Sequence, residues 1–247
     1  MKNQIVELLK KRSSVREMIH TQLSKDEINL LVEGINSSAT SMSRVSASAI
    51  IITDQKVKEE IKTLCGAKAQ EHLSTSAAII VFMVDQSRAK YAANKKNITI
   101  DTKNLDNFLQ AFGDAYIMAT NASITANSLG YGTVYLGSLR FFDIPGYLQK
   151  KYNLSKDILP VLGLAIGKAK NDKKYHPYHI NKTFVDEYNQ NKVFEELEQF
   201  NNDEVKFLGE QYKHFAYMDN VPKTYQNDFT EAYKKYLPEI LDVNKIK

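Results

Sequence analysis

The sequence predicts an α+β protein in which helices outweigh strands. Three observations carry this expectation. Helical and extended segments alternate, but the extended ones are few. The strand candidates, residues 49–53, 77–84, 133–136 and 159–166, are short runs rich in aliphatic residues. The longest apolar periodicity, over residues 105–129, has helical spacing. With 247 residues the chain is long enough to bury a full core.

Residues 3–11 read as a short amphipathic helix with Ile5, Leu8 and Leu9 on one face. Ser24 caps the next helix, and Glu27 three residues on completes a capping-box pattern. That helix is expected to run to about Glu33, with Ile28, Leu31 and Val32 inward and Gly34 near its end. Residues 37–48 are rich in Ser, Ala and Thr. Their small side chains permit close approach of a ligand or another chain. A strand over 49–53 follows, then a helix from Asp54 to about Leu64, closed by Cys65 and Gly66. Residues 77–84 form the second strand. Residues 85–103 are polar and read as an irregular surface excursion.

In the helix over 105–129, Leu105, Phe108, Leu109, Phe112 and Tyr116 follow helical spacing. Its second half is almost uncharged, so it is expected to be buried on most sides, at the centre of the domain or of a dimer interface. Gly130 and Gly132 release it into the strand over 133–136. A helix over 144–152 carries Pro145 in its first turn. The strand over 159–166 is closed by Gly167. Beyond Lys168 the chain is polar, with two further helices expected over 191–217 and 228–241 and a separator over 219–226. The expected organisation is a core of residues 1–170 and a C-terminal extension of 171–247 that packs on the core or on a partner subunit.

Formal charge is +4, and the basic residues are dispersed apart from a cluster at 10–16, which argues against nucleic acid as partner. One cysteine, Cys65, excludes an intrachain disulfide and fits a reducing compartment. The opening MKNQIVELLKKR lacks a signal-peptide apolar core, and no apolar run has membrane-spanning length. Cytoplasm is therefore the expected location, with no membrane partner. The five histidines form no metal-binding frame. No GxSxG, Walker or GxGxxG pattern is present.

Two stretches carry chemistry. KKRSSVR at 10–16 sets four basic side chains and two hydroxyls in seven residues. A phosphate monoester is recognised by such a set, guanidinium plus neutral donors. The plain alternative is a solvated helix end whose cations complement the dipole. GYGTVYLGSLR at 130–140 runs through a strand into a Gly-Ser-Leu-Arg turn, where glycine lets a ring or phosphate approach the backbone. A simple turn would explain it equally.

Four stretches together resemble the flavin-dependent nitroreductase and flavin reductase superfamily, in its larger NADPH-preferring branch. They are KRSSVREM at 11–18, SSATSMS at 37–43, GYGTVYLGSLR at 130–140 and LPVLGLAIG at 159–167. The resemblance implies a mainly antiparallel sheet surrounded by helices, in an intertwined homodimer that holds FMN non-covalently at its interface. It places Arg12, Ser13 and Arg16 at the phosphate, with Lys11 beside them and Thr40 near the FMN tail. Gln70 falls at the polar edge of the ring. Tyr135, Gly137, Ser138, Leu139 and Arg140 line the cofactor, partly through backbone groups. His176 is carried over as a further cofactor position, although HPYHI at 176–180 departs from the KPRLP usual in that branch.

The implied activity is two-electron transfer from NADPH or NADH, by hydride to flavin N5, onto small flat acceptors: nitroaromatics, quinones or free flavin. No protein nucleophile or base is then required. The absence of an Arg-rich loop before the last helix leaves both nicotinamide nucleotides open as reductant. Two other functions fit the same residues: a flavin-binding or sensing protein with little turnover, and a non-catalytic structural dimer.

Overall fold

The computed structural model describes residues 3–66, 70–171, 180–228 and 230–245. Its elements in the first half are α1 (Gln4–Lys11), β1 (Met18–Ile19), α2 (Lys25–Asn36), β2 (Ala47–Ile52), α3 (Gln55–Leu64), α4 (His72–Thr75), β3 (Ala78–Asp85) and α5 (Ser87–Lys96). Then come α6 (Leu105–Ser128), β4 (Gly132–Leu136), α7 (Ile144–Lys151), β5 (Ile158–Ala169), α8 (Gln190–Leu208), α9 (Tyr217–Thr224) and α10 (Glu231–Lys234).

β3 explains the architecture. All eight of its residues are buried. Ile80, Phe82 and Val84 face one apolar cluster, while Ile79, Val81 and Met83 face a second. A strand of period two that is apolar on both faces needs cover on both sides. α2 and α6 supply one layer, and α3, α4 and α7 the other. The five strands pair antiparallel throughout. β2 joins β3, β3 joins β5, and the long β5 also holds β4 and, at its far end, β1. This is the α+β fold, an antiparallel sheet surrounded by helices.

α6 lies close to the sheet because its inward stripe is alanine: Ala111, Ala115, Ala119, Ala122 and Ala126 are all fully buried. Asp114 and Ser123 are buried as well, whereas Leu105, Leu109 and Ile117 are exposed. α2 crosses it at Gly34, where a Cβ would collide with Thr125 Oγ1. Gly34 does lie near the helix end, which falls at Asn36, and it also serves this close contact. The capping box forms as expected, with Ser24 and Glu27 each accepting from the other's backbone N–H. Leu31 and Ile35 are the buried residues of α2, whereas Val32 stands 40% exposed, outward of its expected place.

Other boundaries also differ from expectation. Residues 85–103 contain α5, whose single buried residue, Ala93, leaves almost no amphipathic signal. The helix expected over 191–217 stops at Leu208, because Gly209 adopts φ +83°. The expected separator 219–226 lies largely within α9. Over 228–241 the helix is reduced to the four residues of α10 and a 3₁₀ turn at Leu237–Glu239, which contains Pro238.

The described residues up to 171 and from 230 onward form one compact unit, and those of 180–228 a second. The stretch expected as a C-terminal extension, 171–247, therefore contributes to both. Within the first unit, Tyr233 and Ile240 enter the cluster under α6, and Tyr236 donates to Asp143. Within the second, Glu204 and Asn201 of α8 accept from the N–H groups of Tyr217 and Met218 at 2.7 and 2.9 Å, capping α9.

Candidate flavin site

The basic segment after α1 is led alongside β4. Val15 N–H donates to the Thr133 carbonyl at 3.0 Å, and Ser14 forms a parallel bridge with Thr133. Gly132 makes the approach feasible, since a Cβ there would stand 2.5 Å from Val15 Cγ2. Gly167 does the same one strand over, where a Cβ would lie 2.6 Å from the Met18 sulfur. The two stretches singled out in the sequence, 10–16 and 130–140, are therefore neighbours in space.

Asn3 caps α1, and the helix ends at Lys11, so Arg12 begins the extended run toward β4. Arg12, Ser13 and Arg16 follow one another along it. Among the described residues, no carboxylate pairs with Lys11, Arg12 or Arg16. The cations are thus available to an anion. His72, the first residue of α4, is only 6% exposed and near Arg16. Burial first, then the Arg16 charge, pushes its pKa down to about 4, so it stays neutral and adds no positive charge to the segment.

Beyond β4 the 3₁₀ turn Gly137–Arg140 distributes its side chains in three directions. Ser138 Oγ donates to Gln70 Oε1 at 3.2 Å and lies near the Cys65 thiol. The thiol is buried, and burial raises its pKa to about 11, which removes it as a nucleophile. Leu139 is fully buried in the cluster under α3 and α7, so only its backbone can face a ligand. Arg140 is turned inward: its Nη1 donates to the Val161 carbonyl at 2.9 Å and to Tyr116 Oη at 3.3 Å. Tyr135 packs beneath α6 and donates to the Ala119 carbonyl at 3.4 Å. At Gly137 a Cβ would meet nothing closer than Arg140 Nη2 at 3.6 Å, so the backbone there is open to a flat group.

Thr40 stands apart from this group. Its hydroxyl donates to Asp114 Oδ2 at 2.6 Å and accepts from Val45 N–H at 2.9 Å. Asp114, 4% exposed, also accepts from the N–H groups of Ser41 and Ser46 at 3.3 and 3.4 Å. The loop it holds is strained. Met42, Ser43 and Val45 all have positive φ, which for β-branched Val45 is a true outlier. Ser123 of α6 meets Thr133 of β4 at 3.1 Å. Asp114 and Ser123 are therefore roughly 14 Å apart along α6 at 1.5 Å per residue. Within one chain, Thr40 and the Arg12–Arg16 segment are not brought together. His176 lies outside the described residues.

Asp114 was missed in the sequence reading, yet a signal was there. Beyond Asp106 in the first turn, it is the one charged residue of a helix otherwise built from apolar and small polar residues. A cavity of about 330 Å³ opens beside it, walled by Ala39, Thr40, Ala47 and Ser48.

These features fit FMN. The donor set at Arg12, Ser13 and Arg16 suits a phosphate monoester, and unpaired guanidinium groups there have no other partner among the described residues. The open backbone at Gly137, beside Gln70 and Ser138, suits the edge of a flat heterocycle.

Comparison with known proteins bears on the fold and the family. The nitroreductase family model matches residues 9–168. A Cr(VI) reductase of Pseudomonas sp. (strain G-1) is 29% identical over 239 residues, 96% of each chain. An NADPH-dependent oxidoreductase of Staphylococcus aureus (strain USA300) is 29% identical over 209 residues, 77% of this chain and 78% of its own. Among solved structures, NfrA1 nitroreductase from B. subtilis superposes with a TM-score of 0.84 at 22% identity, over 96% of this chain and 98% of its own. The NADPH:FMN oxidoreductase from Vibrio harveyi, complexed with NAD+, superposes with a TM-score of 0.80 at 17% identity, over 97% and 99%. Fold, paired cationic and glycine-rich stretches, and the family match agree: this chain belongs to the nitroreductase family.

Proposed function

We propose that the protein is an FMN-dependent oxidoreductase that takes two electrons from NADPH or NADH and passes them to nitroaromatic, quinone or free flavin acceptors. One observation carries the reading. Arg12 and Arg16, without a carboxylate partner among the described residues, lie on a segment hydrogen-bonded to β4, whose far end is the open Gly137 turn. FMN, when bound, supplies the hydride-accepting and electron-donating chemistry.

The chain's own residues bind and orient. Arg12 and Arg16 would neutralise the phosphate, and Ser13 would donate a hydroxyl hydrogen to it. Lys11 adds a flanking positive charge. Gln70, held by Ser138, would present its amide to the polar edge of the ring. The Gly137–Arg140 backbone would lie against the ring, while Leu139 and Arg140 anchor that turn from below. Donors preorganised at an edge where negative charge develops would favour the reduced cofactor. Neutral His72 behind Arg16 excludes water without competing for the phosphate.

A homodimer belongs to this proposal. α1 packs beside α6 but buries none of its own residues, and Ile5, Val6 and Leu9 are exposed together with Leu105, Leu109 and Ile117 of α6. Apolar surface of this kind suits a second copy. Thr40, remote from the clamp in its own chain, would then serve the site of the other copy.

The test is anaerobic mixing of FMN-loaded protein with NADPH and with NADH. Bleaching of flavin absorbance, followed by turnover with an added quinone, is the expected result. Flavin that binds but is reduced by neither nucleotide would favour a sensing role. A protein that binds no FMN would overturn the reading.

A further inference from the structure

α3 turns Val57, Lys58 and Ile61 inward. Val57 and Ile61 belong there. Lys58 does not on hydropathy alone, yet it is only 3% exposed. Its ammonium donates to the Ser76 carbonyl at 2.5 Å, leaving two of its three N–H donors without an acceptor among the described residues. No carboxylate pairs with it there. Glu59 and Asp54 act on it only as more distant charges, and Glu59 Oε1 already accepts from Gln55. A buried cation without a counter-ion is costly, and an arriving anion would offset that cost.

A second orphan belongs to a residue of the same cleft. The Thr21 hydroxyl oxygen is buried and has no hydrogen-bond partner among the described residues. Lys58 and Thr21 both line a cleft of about 810 Å³ between the segment leading into α2 and the start of α3. His20, Gln22 and Gln55 add polar rim, while Leu23 and Ile28 supply an apolar wall.

We propose that this cleft is a second ligand site, which receives the oxyanion of a small molecule, a carboxylate or a phosphate, on the Lys58 ammonium and the Thr21 hydroxyl. It is separate from the Arg12–Arg16 segment and does not depend on the flavin reading. The apolar wall sets the ligand class further, to an anion with a short hydrocarbon body. Burial also lowers the Lys58 pKa, which an arriving anion would oppose.

Calorimetric titration at constant ionic strength tests this, with inorganic phosphate and with acetate as probes. FMN-saturated protein keeps the arginine segment filled, and an Arg12→Ala/Arg16→Ala variant gives the same test should FMN not bind. Saturable binding of one probe is expected, at least tenfold weaker in Lys58→Met, about 1.4 kcal/mol. Tighter acetate identifies a carboxylate ligand, and tighter phosphate a phosphate ester. Thr21→Val removes only a hydroxyl that has no partner, so it should fold normally yet weaken binding several-fold. Absence of binding in the parent protein overturns the proposal, as does equal affinity in Lys58→Met. Should Lys58→Met fail to fold, unchanged affinity in Thr21→Val overturns it alone.

Discussion

Asp114→Ala isolates the device that holds residues 40–46. The carboxylate accepts from Thr40 Oγ1 at 2.6 Å and from two backbone N–H groups at 3.3 and 3.4 Å. A hydrogen bond to a charged acceptor contributes a net 1.5–3 kcal/mol, and the two long ones less, so the set is worth about 4 kcal/mol. Against it stand three left-handed residues, Met42, Ser43 and Val45, at roughly 1–2 kcal/mol each. Bonding and strain are thus of similar size, and the loop keeps its shape only while the carboxylate is present. On truncation the loop should relax to ordinary backbone, recovering most of the lost energy. Global stability by urea denaturation should then fall by no more than about 2 kcal/mol. Hydrogen exchange should show the change locally, with the amides of Ser41, Val45 and Ser46 losing protection. Unchanged protection at these amides would refute the reasoning. So would a global loss near the full 4 kcal/mol, since it would mean that no strain was released.

Two further perturbations test packing and electrostatics. Gly34→Ala gains about 1 kcal/mol of helix propensity but drives a methyl into Thr125, so a net loss of about 1–2 kcal/mol is expected by urea denaturation, largely relieved when Thr125→Ala is added. His72 is neutral in the fold with its pKa near 4, but titrates near 6.5 in the unfolded chain. The unfolded state therefore binds the extra proton first as pH falls. His72's share of stability is complete above about pH 6.5 and is lost progressively toward pH 4, up to about 3 kcal/mol. His72→Phe should flatten the stability–pH curve across that window; an unchanged slope would place the titration elsewhere.

What the sequence disclosed follows from which signals are local. The capping box at Ser24, the Asp54 cap and the apolar runs of β3 and β5 are local, and all appear where expected. Gly34 could be placed near its helix end, but its packing role could not be read, because the contact lies across α6 at Thr125. α5 was invisible because a surface helix that buries one alanine has no apolar stripe to read. The same distinction holds at the site. The cationic run and the glycine turn could each be seen alone. Their adjacency depends on Val15 pairing with Thr133 across more than a hundred residues of chain. The inward turn of Arg140 depends on the Val161 carbonyl, and no spacing in the sequence encodes it.

The most direct measurement is FMN affinity in Arg12→Ala/Arg16→Ala, read by flavin fluorescence quenching alongside circular dichroism. Two charge-assisted contacts removed together should weaken binding at least about 100-fold with the fold intact. Parent-like affinity in the folded double variant would contradict the assignment of this segment to the cofactor phosphate.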